Sequence, residues 1–192
     1  MRGGAAMRQT RSRTGRGLRG GWFARWRADQ DGSATVEFAL LLPVYLAIFG
    51  SAFELGVHMT KQVMLDRATD LVVRDLRLGN FDDPDQDAIR TAICARTGLI
   101  PDCQTNLLIE MTPISTSTWQ VLPSQATCVD KAQDIEPVVT FNDGLPNDMM
   151  LIRVCAMVEP MFPTTGLGLQ MPKVAGHYSV VSTSAFVNEP GA

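Results

Sequence analysis

Residues 36–57 read VEFALLLPVYLAIFGSAFELGV, 22 residues with only two charges, Glu37 near the start and Glu54 near the end. Wound as an α-helix at ~1.5 Å per residue, this stretch extends roughly 33 Å, enough to cross a hydrocarbon core of ~30 Å. The competing reading is a core helix of a soluble protein. A chain of 192 residues has little else with which to wrap such a helix on every side. Residues 33–57 are therefore expected to form a single membrane span.

The charge on either side of the span is uneven. Eight Arg residues precede it, from Arg2 to Arg27, against Asp29 and Asp31 as the only acids before Gly32. The remainder holds 9 basic and 18 acidic residues, a formal charge of −9 hidden under the overall −3. Lys61, Arg67, Arg74 and Arg77 follow the span diluted by Asp66, Asp70 and Asp75. The positive-inside rule then puts the N-terminus in the cytoplasm and residues beyond ~58 outside, in a bacterium the periplasm or cell surface. The basic tail is read as a leader and not as a nucleic-acid-binding arm, because no folded scaffold surrounds Trp22, Phe23 and Trp26. Initiation at Met1 or at Met7 leaves this reading unchanged, since seven of the eight Arg residues follow Met7.

All four cysteines, Cys94, Cys103, Cys128 and Cys155, fall on the expected outer side. An even count in a small exported domain points to disulfides. Of the three possible pairings, Cys94–Cys103 with Cys128–Cys155 is favoured because it closes a short first loop. Free buried thiols and a metal site are the alternatives. No CxxC is present, and His58 and His177, the only histidines, stand far from any cysteine in sequence.

A secretory signal peptide has a short basic region, an apolar run of about 7–15 residues and a small-residue cleavage site. Gly50-Ser51-Ala52 would serve as such a site. Against it stand the long stretch before the apolar run, Pro43 within the run, and Glu37 at its head. A carboxylate there costs a few kcal/mol unless it is paired or held at the interface.

The stretch from Asp31 to Pro43, DGSATVEFALLLP, resembles the processing region of TadE-like proteins, minor pseudopilins of the tight-adherence (Flp) branch of type IV pili. The pattern is a glycine, four residues, then Glu with an aromatic leading into an apolar helix: here Gly32, Ser33-Ala34-Thr35-Val36, Glu37 and Phe38. Residues 184–190, SAFVNEP, also resemble the ending of such sequences. The resemblance implies cleavage between Gly32 and Ser33 by a membrane aspartyl prepilin peptidase. It also implies an assembly role for Glu37 and Phe38, with Glu37 pairing to a neighbour's new N-terminal amine and so fixing the axial register. The bland alternative for Glu37 is a carboxylate resting at the headgroup level near a helix N-terminus. The residues at the cut are chemically suited to it: Gly32 lets an extended backbone approach a protease closely, and Ser33, Ala34 and Thr35 are small.

Beyond the span, residues 57–78 keep helical spacing, with Val57, Met64, Ala68, Leu71, Val72 and Leu76 on one stripe. One nearly continuous helix from about 34 to 78 is expected, kinked at Pro43 and stopped at Gly79-Asn80. Asp70 and Arg74 are spaced for a surface pair. Residues 83–97 suggest a short helix with Asp83 as N-cap and Gly98 as its end. Strand-like runs follow at 106–112, 136–141, 149–158 and 177–187. The expected class is α+β, a long N-terminal helix packed on an antiparallel sheet of three to five strands. The expected divisions are a leader (1–32), the span (33–57), the helix extension (58–80) and a head (81–192).

Catalytic signatures are missing: there is no GxSxG, HExxH, P-loop or GxGxxG, and neither histidine has a recognisable partner. The acidic run Asp82, Asp83, Asp85, Asp87 lacks the ligand set of a Ca²⁺ loop and reads more simply as a solvated helix N-terminus. Residues 161–172, MFPTTGLGLQMP, are apolar for a loop and suit a contact surface or a lid. The expected function is therefore structural, a pseudopilin-like subunit with no cofactor. Its expected partners are the membrane, the prepilin peptidase, other pilins and the Tad assembly machinery, with no nucleic acid. An uncleaved single-span scaffold of the same apparatus and a membrane-tethered periplasmic enzyme or binding module are the rival readings.

Overall fold

A computed structural model of the chain describes residues 34–81, 84–118, 125–133, 137–164 and 166–189. Contacts divide it into two units, 1–43 and 44–192. In the first, the described residues are the opening turns of helix α1 (Ala34–Arg77). Their apolar side chains, Val36, Phe38, Leu40 and Leu41, are all exposed. Pro43 sits inside the helix, where it removes one backbone donor from the ladder.

The second unit holds the rest of α1, then α2 (Gln86–Thr97), α3 (Cys103–Asn106), β1 (Leu107–Ile114), β2 (Met149–Val158), α4 (Gly166–Gln170) and β3 (Tyr178–Val187). The strands form an antiparallel sheet in the order β1-β2-β3. This is the α+β arrangement expected from the sequence, at three strands.

The sheet's inner face follows from strict alternation, since successive side chains of a strand point to opposite faces. Leu107, Ile109 and Met111 of β1, Met150, Ile152, Val154, Ala156 and Val158 of β2, and Tyr178, Val180 and Phe186 of β3 are all in one core. Leu65, Ala68, Val72 and Val73 of α1 and Ile89 and Ile93 of α2 complete it. Each such aliphatic side chain contributes about 1.5–3 kcal/mol by leaving water.

The opposite face of β2 is also covered. Cys155, opposite Leu108 on β1 and Val181 on β3, is bonded to Cys128, drawing the 125–133 segment over the sheet. Beside it Arg153 pairs with Glu110 at 3.1 Å across the β1–β2 ladder. Arg153 also donates to the carbonyl of Gln125 (3.3 Å), and Glu110 accepts from the Thr127 amide (3.2 Å). The second disulfide, Cys94–Cys103, joins the last turn but one of α2 to the start of α3.

The end of α1 is a Schellman arrangement. Gly79 takes φ +64°, its amide donates to Leu76 O (3.1 Å), and the Asn80 amide donates to Asp75 O (3.0 Å).

Several local expectations need correcting. Helix α2 begins at Gln86 and not at 83. Asp85 is its N-cap, because its extended backbone lets the carboxylate accept from the Ala88 amide at 2.7 Å. Asp82 and Asp83 lie outside the described residues. The run 136–141 forms no strand among the described residues. It contributes one parallel bridge, Met111 to Phe141, held by the Met111 amide on Thr140 O and the Asn142 amide on Met111 O.

The buried stripe of α1 is rotated from the expected one. Ala68 and Val72 are buried as expected, but Leu71 is exposed and Leu65 and Val73 take its place. Among the described residues no ion pair joins Asp70 to Arg74. Asp75 instead meets Arg96 of α2 at 2.8 Å.

Candidate functional site

Gly32 and Ser33, the expected cleavage site, lie outside the described residues. The structure begins one residue later. Glu37 stands in the first turn of α1, where a carboxylate is favoured by the unpaired amides and the helix dipole. Both it and Phe38 are solvent-exposed. From there to Phe53 the helix keeps presenting large apolar side chains outward, among them Val44, Tyr45, Ile48 and Phe49. By length and composition α1 is a candidate membrane span, and the apolar window is not buried within the protein.

The character of the helix changes at Glu54, which is fully buried. Its two carboxylate oxygens accept separately from the amides of Met161 (3.1 Å) and Phe162 (3.0 Å), the first residues of the apolar loop after β2. Two amide donors on one carboxylate satisfy what burial would otherwise strand, and bonds to a charged acceptor are about twice as strong as neutral ones. Phe162 then meets Phe53 edge-on, ring centroids 6.3 Å apart.

Two turns further on, Lys61 is nearly buried on the same face. Its Nζ donates to Glu159 O at 3.2 Å and lies 5.7 Å from the centre of the Tyr178 ring. Burial pushes the Lys61 ammonium below its ordinary value, an effect opposed by the carboxylates of Glu54 and Glu159. The Tyr178 hydroxyl is pushed up to about 12, first by burial and then by Glu54. It has no hydrogen-bond partner among the described residues, nor has Nδ1 of His58, whose ring lies 5.2 Å from that of Tyr178. His177 sits at the rim, Nε2 3.2 Å from Glu159.

Glu54, His58 and Lys61 thus join α1 to both ends of the β2–β3 connection. The sequence reading named Glu54 only as a charge at the end of the span and did not identify this cluster. The signal was present in the spacing: Glu54, His58 and Lys61 recur at i, i+4 and i+7, one face of a helix. The arrangement is an anchoring device. It holds no nucleophile paired with a base, and among the described residues no group of three or more His, Cys, Asp or Glu is disposed to hold a metal. Asp85 and Asp87 of the acidic run are occupied as a helix cap and as a partner of Arg90 at 3.1 Å.

No curated protein and no solved structure matches the chain. The family model described as TadE-like protein matches residues 32–74, so that the chain is similar to TadE-like proteins from the glycine of the expected cleavage site, through the apolar half of α1, to the face that carries the sheet.

Proposed function

We propose that this chain is a structural, pseudopilin-like subunit of a Tad (Flp-type) pilus system, anchored by the first half of α1 and matured by a prepilin peptidase that cuts after Gly32. The observation that carries the reading is the placement of the TadE-like match. It starts at Gly32 and covers a helix whose first half is apolar and uncovered while its second half is packed under a small sheet.

Cleavage leaves an amine on Ser33 four residues before Glu37, both at the start of the span. In a filament the exposed Glu37 carboxylate pairs with the amine of a neighbouring subunit, an interaction strongest in low dielectric and specific to one axial register. Phe38 packs beside it. The N-terminus lies in the cytoplasm and the head in the periplasm, a reading supported by the Arg-rich leader and the two disulfides. The work of such a subunit is done by packing, with no cofactor.

The test is the N-terminal residue of the membrane-extracted protein, read by mass spectrometry of its terminal peptide. A start at Ser33 is expected, and Gly32→Ala should leave the leader attached. A start at Met1 or Met7 would replace this reading with an uncleaved scaffold. A start at Phe53 would make the head a secreted soluble domain.

A further inference from the structure

The loop between β2 and β3 lies against the part of α1 that the membrane reading places inside the bilayer. The backbone of Gly166 runs along Ala47 and Ser51, so closely that a Cβ there would overlap Ser51 Oγ. Phe162 rests on Phe53, and the loop is tied down at Glu54. About 20 helical residues are needed to cross a hydrocarbon core; counted from Ala34, they run to Phe53. Between the charge of Asp31 and the loop's contact at Ala47 lie only 15 residues, about 22 Å if wholly helical, too short a span to end below the loop. The loop and the outer part of the span therefore occupy the same depth.

Its chemistry suits that depth. Residues 160–172 carry no charge, and Met161, Phe162 and Leu169 are exposed at 55%, 41% and 64%. Phe162 adjoins the exposed Phe53, and Gly166 lies on Ala47 and Ser51, so the loop borders the exposed apolar surface of the span.

Irregular backbone is tolerated in lipid only where its polar groups are already satisfied. Here two flanking charges satisfy four of those groups. Glu54 takes the amides of Met161 and Phe162, and Lys173 Nζ donates to the carbonyls of Pro163 and Gly168. Gly168 allows the fold to close, since a Cβ there would run into the carbonyl of Phe162.

We propose that the loop after β2, through its residues 160–164 and 166–170, is a second membrane contact, a foot that seats Met161, Phe162 and Leu169 in the outer-leaflet interface beside the span. It rests on the reading of α1 as a membrane anchor. The occupant is lipid and not a second copy of the chain, because Phe162 and Gly166 lie directly on the apolar, exposed part of α1 and flanking side chains satisfy four of the loop's backbone groups.

The experiment uses the full-length chain in phosphatidylcholine vesicles, with Trp22, Trp26 and Trp119 changed to Phe. Single tryptophans are then placed by Phe162→Trp and Leu169→Trp in the loop, Tyr45→Trp deep in the span, and Val138→Trp at a fully exposed head position. Lipids brominated near the glycerol should quench the two loop variants several-fold more than Val138→Trp, and iodide in the water should quench them several-fold less. Lipids brominated near the chain end should quench Tyr45→Trp most. Quenching by bromine at Tyr45→Trp with both loop variants as iodide-accessible as Val138→Trp would overturn the foot and leave the anchor standing. Loop variants shielded from iodide yet untouched by bromine would show a protein cover, such as a second copy, and also overturn it. No bromine quenching at any position would overturn the anchor reading and the foot together.

Discussion

Along α1, Leu40, Leu41 and Ile48 stand open while Leu65, Val72 and Val73 are shut away, although all six are aliphatic residues of one helix. What separates them is the company they keep. Residues 34–53 contain a single charge, Glu37, whereas residues 54–77 contain eight, from Glu54 to Arg77. A helix apolar on every side has no inner face to offer a domain and requires an apolar surrounding. One with charges on most of its surface has a stripe to bury, and the sheet supplies the cover. The comparison teaches that hydrophobicity decides burial only in combination with what occupies the other faces.

The difference should be largest for truncation of a core side chain. Leu65→Ala should cost the head about 3 kcal/mol, because it removes a fully buried side chain from a packed core. Leu41→Ala should change head stability by no more than about 0.5 kcal/mol. Urea unfolding of both full-length variants in detergent, followed by near-UV circular dichroism, makes the comparison. Similar losses at the two positions would abolish the distinction between the halves.

A smaller effect is expected where the halves meet. Glu54→Ala strands the amides of Met161 and Phe162 and should cost about 2 kcal/mol. Glu54→Gln keeps one good acceptor and should cost about half as much. Both should speed proteolytic nicking within residues 160–172, Ala more than Gln. Unchanged nicking in both variants would mean that Glu54 does not hold the loop.

The smallest effect at neutral pH belongs to Tyr178→Phe. Removing an unpartnered hydroxyl should leave stability within about 1 kcal/mol of the parent at pH 7. The difference emerges in alkali. The folded value of about 12 lies above the value of about 10 for an unfolded chain. The stabilisation is therefore fully present below pH ~10 and is lost as pH rises through about 12. Tyr178→Phe should flatten that decline. In Tyr45→Phe, where Tyr178 is the only tyrosine, tyrosinate absorbance should rise with a midpoint near 12. A midpoint near 10 would place Tyr178 in water.

The long apolar helix was readable from sequence because 22 nearly uncharged residues hold few breaks in it, and β2 was readable to the residue because apolar runs bounded by turns end sharply. The 136–141 segment misled for a physical reason. Apolar β-formers there make one bridge to Met111 and then turn away, and whether a strand pairs depends on a partner that no local pattern reveals. The buried line of α1 was misplaced because Glu54 and Lys61 lie on it, and a charge on the inner face weakens the very periodicity that marks the face. Their partners, Met161, Phe162 and Glu159, stand about 100 residues away in sequence, separations of 107, 108 and 98. The i, i+4, i+7 recurrence marks a face of the helix, but contacts that distant leave no trace of which residues meet it.

Strand β3 has a consequence for the order of events during synthesis. It supplies Tyr178, Val180 and Phe186 to the core and a full ladder to β2, yet it begins about 100 residues after α1 ends. Non-local pairings of this kind form late, after the loop-closure cost has been met. The covered half of α1 therefore gains its full cover only once β3, some 100 residues further along the chain, has been made. A chain cut short of Tyr178 is a helix under an incomplete sheet, and pairing of β3 with β2 is the step that closes the core.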